Sequence, residues 1–287
     1  MNGETKRRVA ILYFSGTGGT ELVAELLGEL LSERLECRVA GIDDPRSREY
    51  AAAAEALVLC YPTYYLKPAP SMREFAETLG PFDPPRKAYV VTTCELYTEN
   101  SIRRLALVLR KRGMIVAGSK AVHAPGSDVT LVFPSALIPW WYRFERGISD
   151  KLCAIAREVA AVAIAADVRE AIPRAKWYTP FTWLLQILFF DRFDIFRGRL
   201  RVLEDRCASC GACVELCGRG AWTMGASGPV HDPERCELCG RCLHRCPNRA
   251  IVLLKALRNN RRLDPRLYAA LGDEAKAALG IDAKATR

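Results

Sequence analysis

Histidine is scarce in this 287-residue chain: only His123, His231 and His244 are present. With so few imidazoles and no acid–base pair visible in the pattern, general acid–base chemistry has little to work with, and no catalytic residue is assigned. Long apolar runs are missing too. The aromatic-rich stretch at 181–190 is apolar except for Thr182 and Gln186, and about ten residues cannot cross a hydrocarbon core that needs roughly 20. Residues 1–8 are polar and basic, and the apolar run at 9–14 is too short for the core of a secretory signal. The expectation is a cytoplasmic protein whose cysteines stay reduced. No arginine-rich tract or nucleic-acid motif stands out, so nucleic acid is not an expected partner.

Cysteine, by contrast, is plentiful. Eight of the 12 fall into two copies of one spacing, Cys207, Cys210, Cys213, Cys217 and then Cys236, Cys239, Cys242, Cys246 followed by Pro247. Three thiolates on a tight loop can hold three corners of a cubane, and the fourth corner must be held from elsewhere in the chain. Disulfides would need an oxidising compartment, and structural zinc uses separated Cys-x2-Cys pairs rather than four closely spaced thiols. Iron–sulfur ligation is therefore expected, and with it one-electron chemistry.

The repeat extends beyond cysteine, since Gly211 matches Gly240 and Ala221 matches Ala250 at the same offset. This pattern resembles the two-cluster bacterial ferredoxins. The resemblance implies that Cys207, Cys210, Cys213 and Cys246 hold one [4Fe–4S] cluster. It gives Cys236, Cys239, Cys242 and Cys217 to the second. Gly218 stands where those ferredoxins usually carry proline, a departure that removes no ligand.

In the front half, the apolar run 9–14 reads as a strand buried on both faces. It leads into Ser15, Gly16, Thr17, Gly18, Gly19 and Thr20, and then into Leu22, Val23, Leu26, Leu27, Leu30 and Leu31 at helical spacing. Strand, Gly/Ser/Thr loop and helix make a phosphate cradle of backbone N–H groups and hydroxyls at a helix N-terminus. A dinucleotide fingerprint would need glycine where Glu21 stands, and no Gly-Lys-Ser/Thr follows for a nucleotide-triphosphate loop. The loop instead resembles the flavodoxin loop that wraps the FMN phosphate.

Further apolar runs at 37–42, 56–60, 88–92 and 114–117, with helical stretches at 71–79, 101–112 and 149–166, predict five strands alternating with helices. Ser149 or Asp150 is placed to cap the last helix. The fold class expected is α/β, a flavodoxin-like doubly wound parallel five-stranded sheet followed by a small α+β two-cluster domain. In the order 2-1-3-4-5 the ligand lies where strands 1 and 3 diverge. The flavodoxin resemblance then implies ring contacts from Pro62, Thr63, Tyr64 and Tyr65 after the third strand, with Tyr64 and then Tyr65 as the stacking ring. It implies further contacts from Thr93, Cys94, Glu95, Leu96 and Tyr97 after the fourth. Cys37, Cys60 and Cys153 are expected in the core.

Taken together, the chain resembles the extended flavodoxin–ferredoxin fusion proteins of bacteria and archaea, with Gly19 where many members have asparagine and Pro125 to Asp128 only loosely matching a segment after strand 5. The implied layout is an FMN domain at 1–170, an aromatic connector at 171–199, a cluster domain at 200–256 and a surface tail at 257–287. The connector is expected to pack between the two domains; a membrane contact through 177–197 is the less favoured reading. The formal charge of +9 falls to roughly +3 once two clusters and one phosphate are counted. That suits an acidic ferredoxin or flavodoxin as redox partner.

Two functions stay open at this point: an electron carrier passing electrons between FMN and clusters, or an FMN-dependent reductase of a small substrate fed by its own clusters. Trp140, near Tyr64 and Tyr97 in the second reading, would line the substrate pocket. A redox sensor would need an output domain that the sequence does not display.

Overall fold

The computed structural model describes residues 6–95, 98, 100–126, 147–175, 177–185, 187–188, 194–254, 262–263 and 265–281. The chain divides into two compact units. The first runs through Ala124, resumes in the stretch that ends at Trp177, and takes back the residues from Tyr268 onward; the second holds Tyr178–Leu267.

The first unit is built on β1 (Arg8–Tyr13), β2 (Glu36–Gly41), β3 (Ala56–Tyr64), β5 (Arg86–Cys94) and β6 (Met114–His123). They form a parallel sheet in the order β2-β1-β3-β5-β6. Counting only these five, the order is the flavodoxin-like 2-1-3-4-5, with the chain diverging to opposite sides between β1 and β3. A two-residue strand, β4 (Lys67–Pro68), returns antiparallel on the end of β3.

The helices are α1 (Gly19–Ser32), α2 (Ser47–Ala53), α3 (Pro70–Thr78), α4 (Ser101–Lys111) and α5 (Ile148–Ile164). Val23, Leu26, Leu27 and Leu31 of α1 and Leu152, Ile155 and Val159 of α5 meet Val9, Ile11, Val58 and Val91 of the sheet in one core. Burying each such side chain contributes about 1.5–3 kcal/mol.

One close approach shapes this sheet. The register slips by a residue between Ala88 and Tyr89, so that Tyr89 lies opposite Gly118. A Cβ on Gly118 would stand 2.4 Å from the Tyr89 ring, so only glycine leaves room for it. The tyrosine hydroxyl thereby reaches Glu158 on α5 at 2.6 Å.

Three expectations need correction. Helix α5 is entered through Gly147 in the left-handed region, at φ 72°, with no side-chain cap; Ser149 and Asp150 already lie inside the first turn. The tail is not merely a surface appendage. Within α10 (Pro265–Ala278), Ala275 joins the core of the first unit and Lys276 pairs with Glu29 of α1 at 2.6 Å. Glu21, Glu25 and Glu29 stack along α1, and the Glu25 carboxyl is pushed up by burial and by its acidic neighbours while Lys276 pulls it down. A cation from the tail therefore relieves a line of like charges. Third, the described aromatic residues of the connector, Trp177, Phe181 and Trp183, are exposed rather than packed away.

The second unit carries α6 (Thr179–Leu185), α7 (Asp194–Arg197), β7 (Arg201–Val202), α8 (Ala212–Glu215), β8 (Trp222–Gly225), β9 (Gly228–His231), α9 (Arg241–Arg245) and β10 (Ile251–Val252). Its pairing repeats the sequence offset. Trp222 lies opposite His231 in the β8–β9 ladder, and Ile251 lies opposite Val202 in the β10–β7 ladder. Left-handed residues repeat likewise: Ser209 with Leu238, Gly211 with Gly240, and Gly220 with Arg249. The same turn is therefore folded twice.

Among the described residues, no helix is long and apolar enough to cross a membrane.

Candidate functional site

At the C-terminal edge of the parallel sheet, the ends of β1, β3 and β5 come together. After β1 the chain turns through Gly18, at φ 108°, into α1, whose N-terminus has no side-chain cap. Gly18 donates its N–H to the Ser15 hydroxyl at 3.0 Å, which tightens the turn. An uncapped helix start with small residues leading into it suits an anion.

Thr20 is buried, and its hydroxyl shares a 2.7 Å hydrogen bond with that of Thr93 at the end of β5. Two of the expected segments are thus tied directly. The third is aligned by the ladder, where Pro62 and Thr93 are register partners.

The segment after β3 is not an open loop. Thr63 and Tyr64 belong to the strand and pair with Pro68 and Lys67, while Tyr65 and Leu66 turn with φ of 48° and 65°. Successive positive φ values make a tight hairpin turn. It holds Tyr64 with its ring edge-on to Phe14 at 6.4 Å between centroids. The Thr63 hydroxyl is engaged within the protein, with Thr92 at 2.9 Å and Ser101 at 3.1 Å. Ser101 in turn donates to the hydroxyl of buried Tyr61.

Thr93 and Cys94 likewise continue β5, with Cys94 opposite His123 on β6. Cys94 Sγ lies 3.8 Å from His123 Nδ1, which is also 3.3 Å from the Glu95 carbonyl. Leu96, Tyr97 and Trp140 lie outside the described residues. Of the remaining cysteines, Cys60 is buried, as expected, while Cys37 and Cys153 are only half-buried. Burial pushes the Cys37 thiol up to about 11.

The eight cysteines of the two runs lie in the second unit, and the chain folds them into two mixed sets. Cys207, Cys210, Cys213 and Cys246 line one pocket with Asn248 and Ile251. The groups acting on Cys213 are Cys207 and Cys246, whereas those acting on Cys242 are Cys239, Cys236 and Cys217. Cys210 is exposed. Desolvation pushes the Cys239 thiol up to about 12 and raises Cys242 and Cys236. Thiols held protonated by burial become thiolates only against strong positive charge, which iron supplies.

Backbone donors aimed at sulfur repeat in both halves. Ala221 N–H points at Cys217 Sγ and Ala250 N–H at Cys246 Sγ, each at 3.3 Å, and Trp222 donates to Cys242. N–H groups directed at sulfur are a usual accompaniment of cluster thiolates. The donor set, its burial and these N–H groups all fit iron–sulfur clusters.

Two partners here were invisible in the sequence because they come from the tail. Arg262 donates to the Ile251 carbonyl at 2.6 Å. Among the described residues its Nε and Nη1 are buried without a partner, beside Cys246 and Cys242. Leu263 donates its N–H to Nδ1 of buried His244 at 3.0 Å, fixing that nitrogen as an acceptor. The only available signal was the spacing of the repeat, which marks 221 and 250 but says nothing of 262.

Residues 206–250 match the 4Fe-4S dicluster domain family. No curated protein matches the chain. Among solved structures, a flavodoxin from the domain Archaea is 17% identical over 53% of this chain and 95% of its own, with a TM-score of 0.39. Flavodoxin 2 from Bacillus cereus is 18% identical over 53% and 97%, with a TM-score of 0.41. An NADH:FMN oxidoreductase in its apo form is 14% identical over 59% and 97%, also at 0.41. Likeness at this level does not identify a ligand, and the fold of the first unit rests on its own strand order. The chain joins a flavodoxin-like unit to a 4Fe–4S-binding segment.

Proposed function

We propose that this chain is an electron-transfer flavoprotein that binds FMN at the C-terminal edge of the first unit and two [4Fe–4S] clusters in the second. When bound, the clusters exchange electrons singly and the flavin takes one or two, so together they interconvert one- and two-electron chemistry. The observation that carries the reading is the pairing of a small-residue turn at an uncapped helix start with eight cysteines sorted into two sets of four.

The residues divide the work. Gly16, Thr17 and Gly19 offer backbone N–H groups to the phosphate, Gly18 supplies the left-handed turn, and Ser15 and Thr20 brace it from within. Tyr64, locked by its hairpin, and the backbone of 93–95 flank the ring. Cys207, Cys210, Cys213 and Cys246 hold the cluster beside exposed Cys210, where electrons enter or leave. Cys236, Cys239, Cys242 and Cys217 hold the more desolvated one. A redox partner with an acidic face suits the positive charge of the chain.

One observation favours a second reading, an FMN-dependent reductase. Cys94 and His123 meet at the end of β5 and β6, so an imidazole stands at the same sheet edge as the ring-contact segments and can hold a proton there.

The test is iron, acid-labile sulfide and FMN per chain in protein purified without oxygen. About eight iron and one FMN are expected. Eight iron with no flavin, and none taken up on adding FMN, would overturn the flavin assignment; about four iron would overturn the pair of clusters.

A further inference from the structure

Among the described residues, the exposed large apolar side chains concentrate in one segment. Phe181 is 63% exposed, Trp183 57%, Leu184 48%, Ile187 40% and Leu188 45%, with Trp177 before them at 91%. Phe181, Trp183 and Leu184 lie on α6 and Ile187 and Leu188 follow just after it, so the exposed apolar side chains run together along one short segment. From 177 to 190 there is no charged residue. A folded chain rarely leaves so contiguous an apolar surface in water unless something covers it.

The charges on either side indicate what that is. Arg174 and Lys176 precede the apolar segment and Arg192, Arg197, Arg199 and Arg201 follow it, against only Asp191 and Asp194. Arg174, Arg199 and Arg201 are exposed. The layering is basic, then aromatic and aliphatic, then basic. Docking a second copy on this surface would bring the same basic flanks against each other, which opposes self-association. A bilayer with anionic headgroups offers the complementary layering: negative charge at the surface and hydrocarbon beneath. Tryptophan and tyrosine are at home at that boundary. Even if every residue from 177 to 190 were helical they would extend about 21 Å, short of a hydrocarbon core of about 30 Å, so the segment lies on the membrane instead of crossing it.

We propose that residues 177–188, with their basic flanks, seat this protein on an anionic membrane surface. Trp183 and Phe181 enter the boundary between headgroups and acyl chains, and the flanking arginines contact the headgroups.

The experiment is flotation of the full-length, iron-loaded protein with vesicles of phosphatidylcholine alone and of phosphatidylcholine mixed with phosphatidylserine. Flotation with the anionic vesicles is expected, weakening as salt is raised. The triple variant Phe181→Ser, Trp183→Ser, Leu188→Ser is expected to reduce the bound fraction at least tenfold while iron content and far-ultraviolet circular dichroism stay unchanged. Arg174→Glu with Arg199→Glu is expected to abolish the preference for anionic over neutral vesicles. Should the triple variant misfold, the unaltered protein still decides the matter: its tryptophan fluorescence is expected to be quenched by brominated acyl chains in anionic vesicles. Absence of flotation, flotation indifferent to the triple variant, or no quenching would overturn the proposal. So would a concentration-dependent dimer in sedimentation that the triple variant abolishes without any lipid binding.

Discussion

In the first unit, Val9, Ile11, Leu26, Leu27, Val58, Tyr89, Val91 and Leu152 fill the space between sheet and helices, and the cluster they belong to is hydrocarbon almost throughout. In the second, Leu200, Trp222, Leu243 and Ile251 are the buried centre of the cluster, and the residues packed against it include Cys213, Cys217, Cys236, Cys242 and Cys246. The candidate cluster cysteines of the second unit are thus part of its interior, whereas the candidate flavin contacts of the first lie at a rim that its core does not need. Among the described residues that centre is four buried side chains, and bound metal would add to it. One unit is expected to keep its fold when empty. The other is expected to fold only when loaded.

The largest effect should come from removing iron. Chelation under reducing, anaerobic conditions is expected to abolish hydrogen-exchange protection across 200–254 while protection in β1, β3 and β5 persists; uniform loss in both units would break the comparison. Next in size is Trp222→Ala, which empties the centre of the small core and removes the donor to Cys242. It should cost the second unit about 3–5 kcal/mol, read as lost iron with an unchanged melting transition for the first.

Gly118→Ala sharpens the contrast from the other side. With the new methyl 2.4 Å from the Tyr89 ring, overpacking should cost about 1–3 kcal/mol, seen as a lower Tm for the first unit at full iron content.

The smallest effect concerns Glu158. Burial pushes its carboxyl up, but hydrogen bonds from Tyr89 and Lys120 outweigh that and hold it below the usual carboxylate range. Its contribution is therefore complete above the unfolded value, about 4.3, and is lost as pH falls through the folded one. Glu158→Gln should flatten the acid side of the first unit's stability profile. Because the carboxylate is well exposed, solvent screening limits the change to less than about 1 kcal/mol.

The parallel sheet was legible because most of its strands contain a short apolar run followed by a stretch of helical period, though the helix at Ser47–Ala53 went unread, and the cysteine repeat was legible because ligand spacing is local. What escaped was decided by pairing and contact between segments, not by any one run. Nothing in the apolar run at 56–60 announces that β3 continues to Tyr64; the hairpin pairing with Lys67 and Pro68 extends it. The register slip that brings Tyr89 over Gly118 belongs to a pair of strands, not to either sequence. Arg262, Leu263 and Ala275 looked like solvated tail, because burial there depends on surfaces contributed by residues distant in the chain.

The return of α10 to α1 has a consequence for handling and for evolution alike. Since the chain leaves the first unit after Ala124 and Trp177 and comes back at Tyr268, the cysteine-bearing portion is a closed loop moored at both ends, not a terminal appendage. A single cut in the connector would leave it attached through Ala275 and the Lys276–Glu29 pair. The two units would then stay on one molecule. Deleting residues 265–281 turns the loop into a pendant chain, after which the same cut should release an iron-bearing fragment that the intact protein retains.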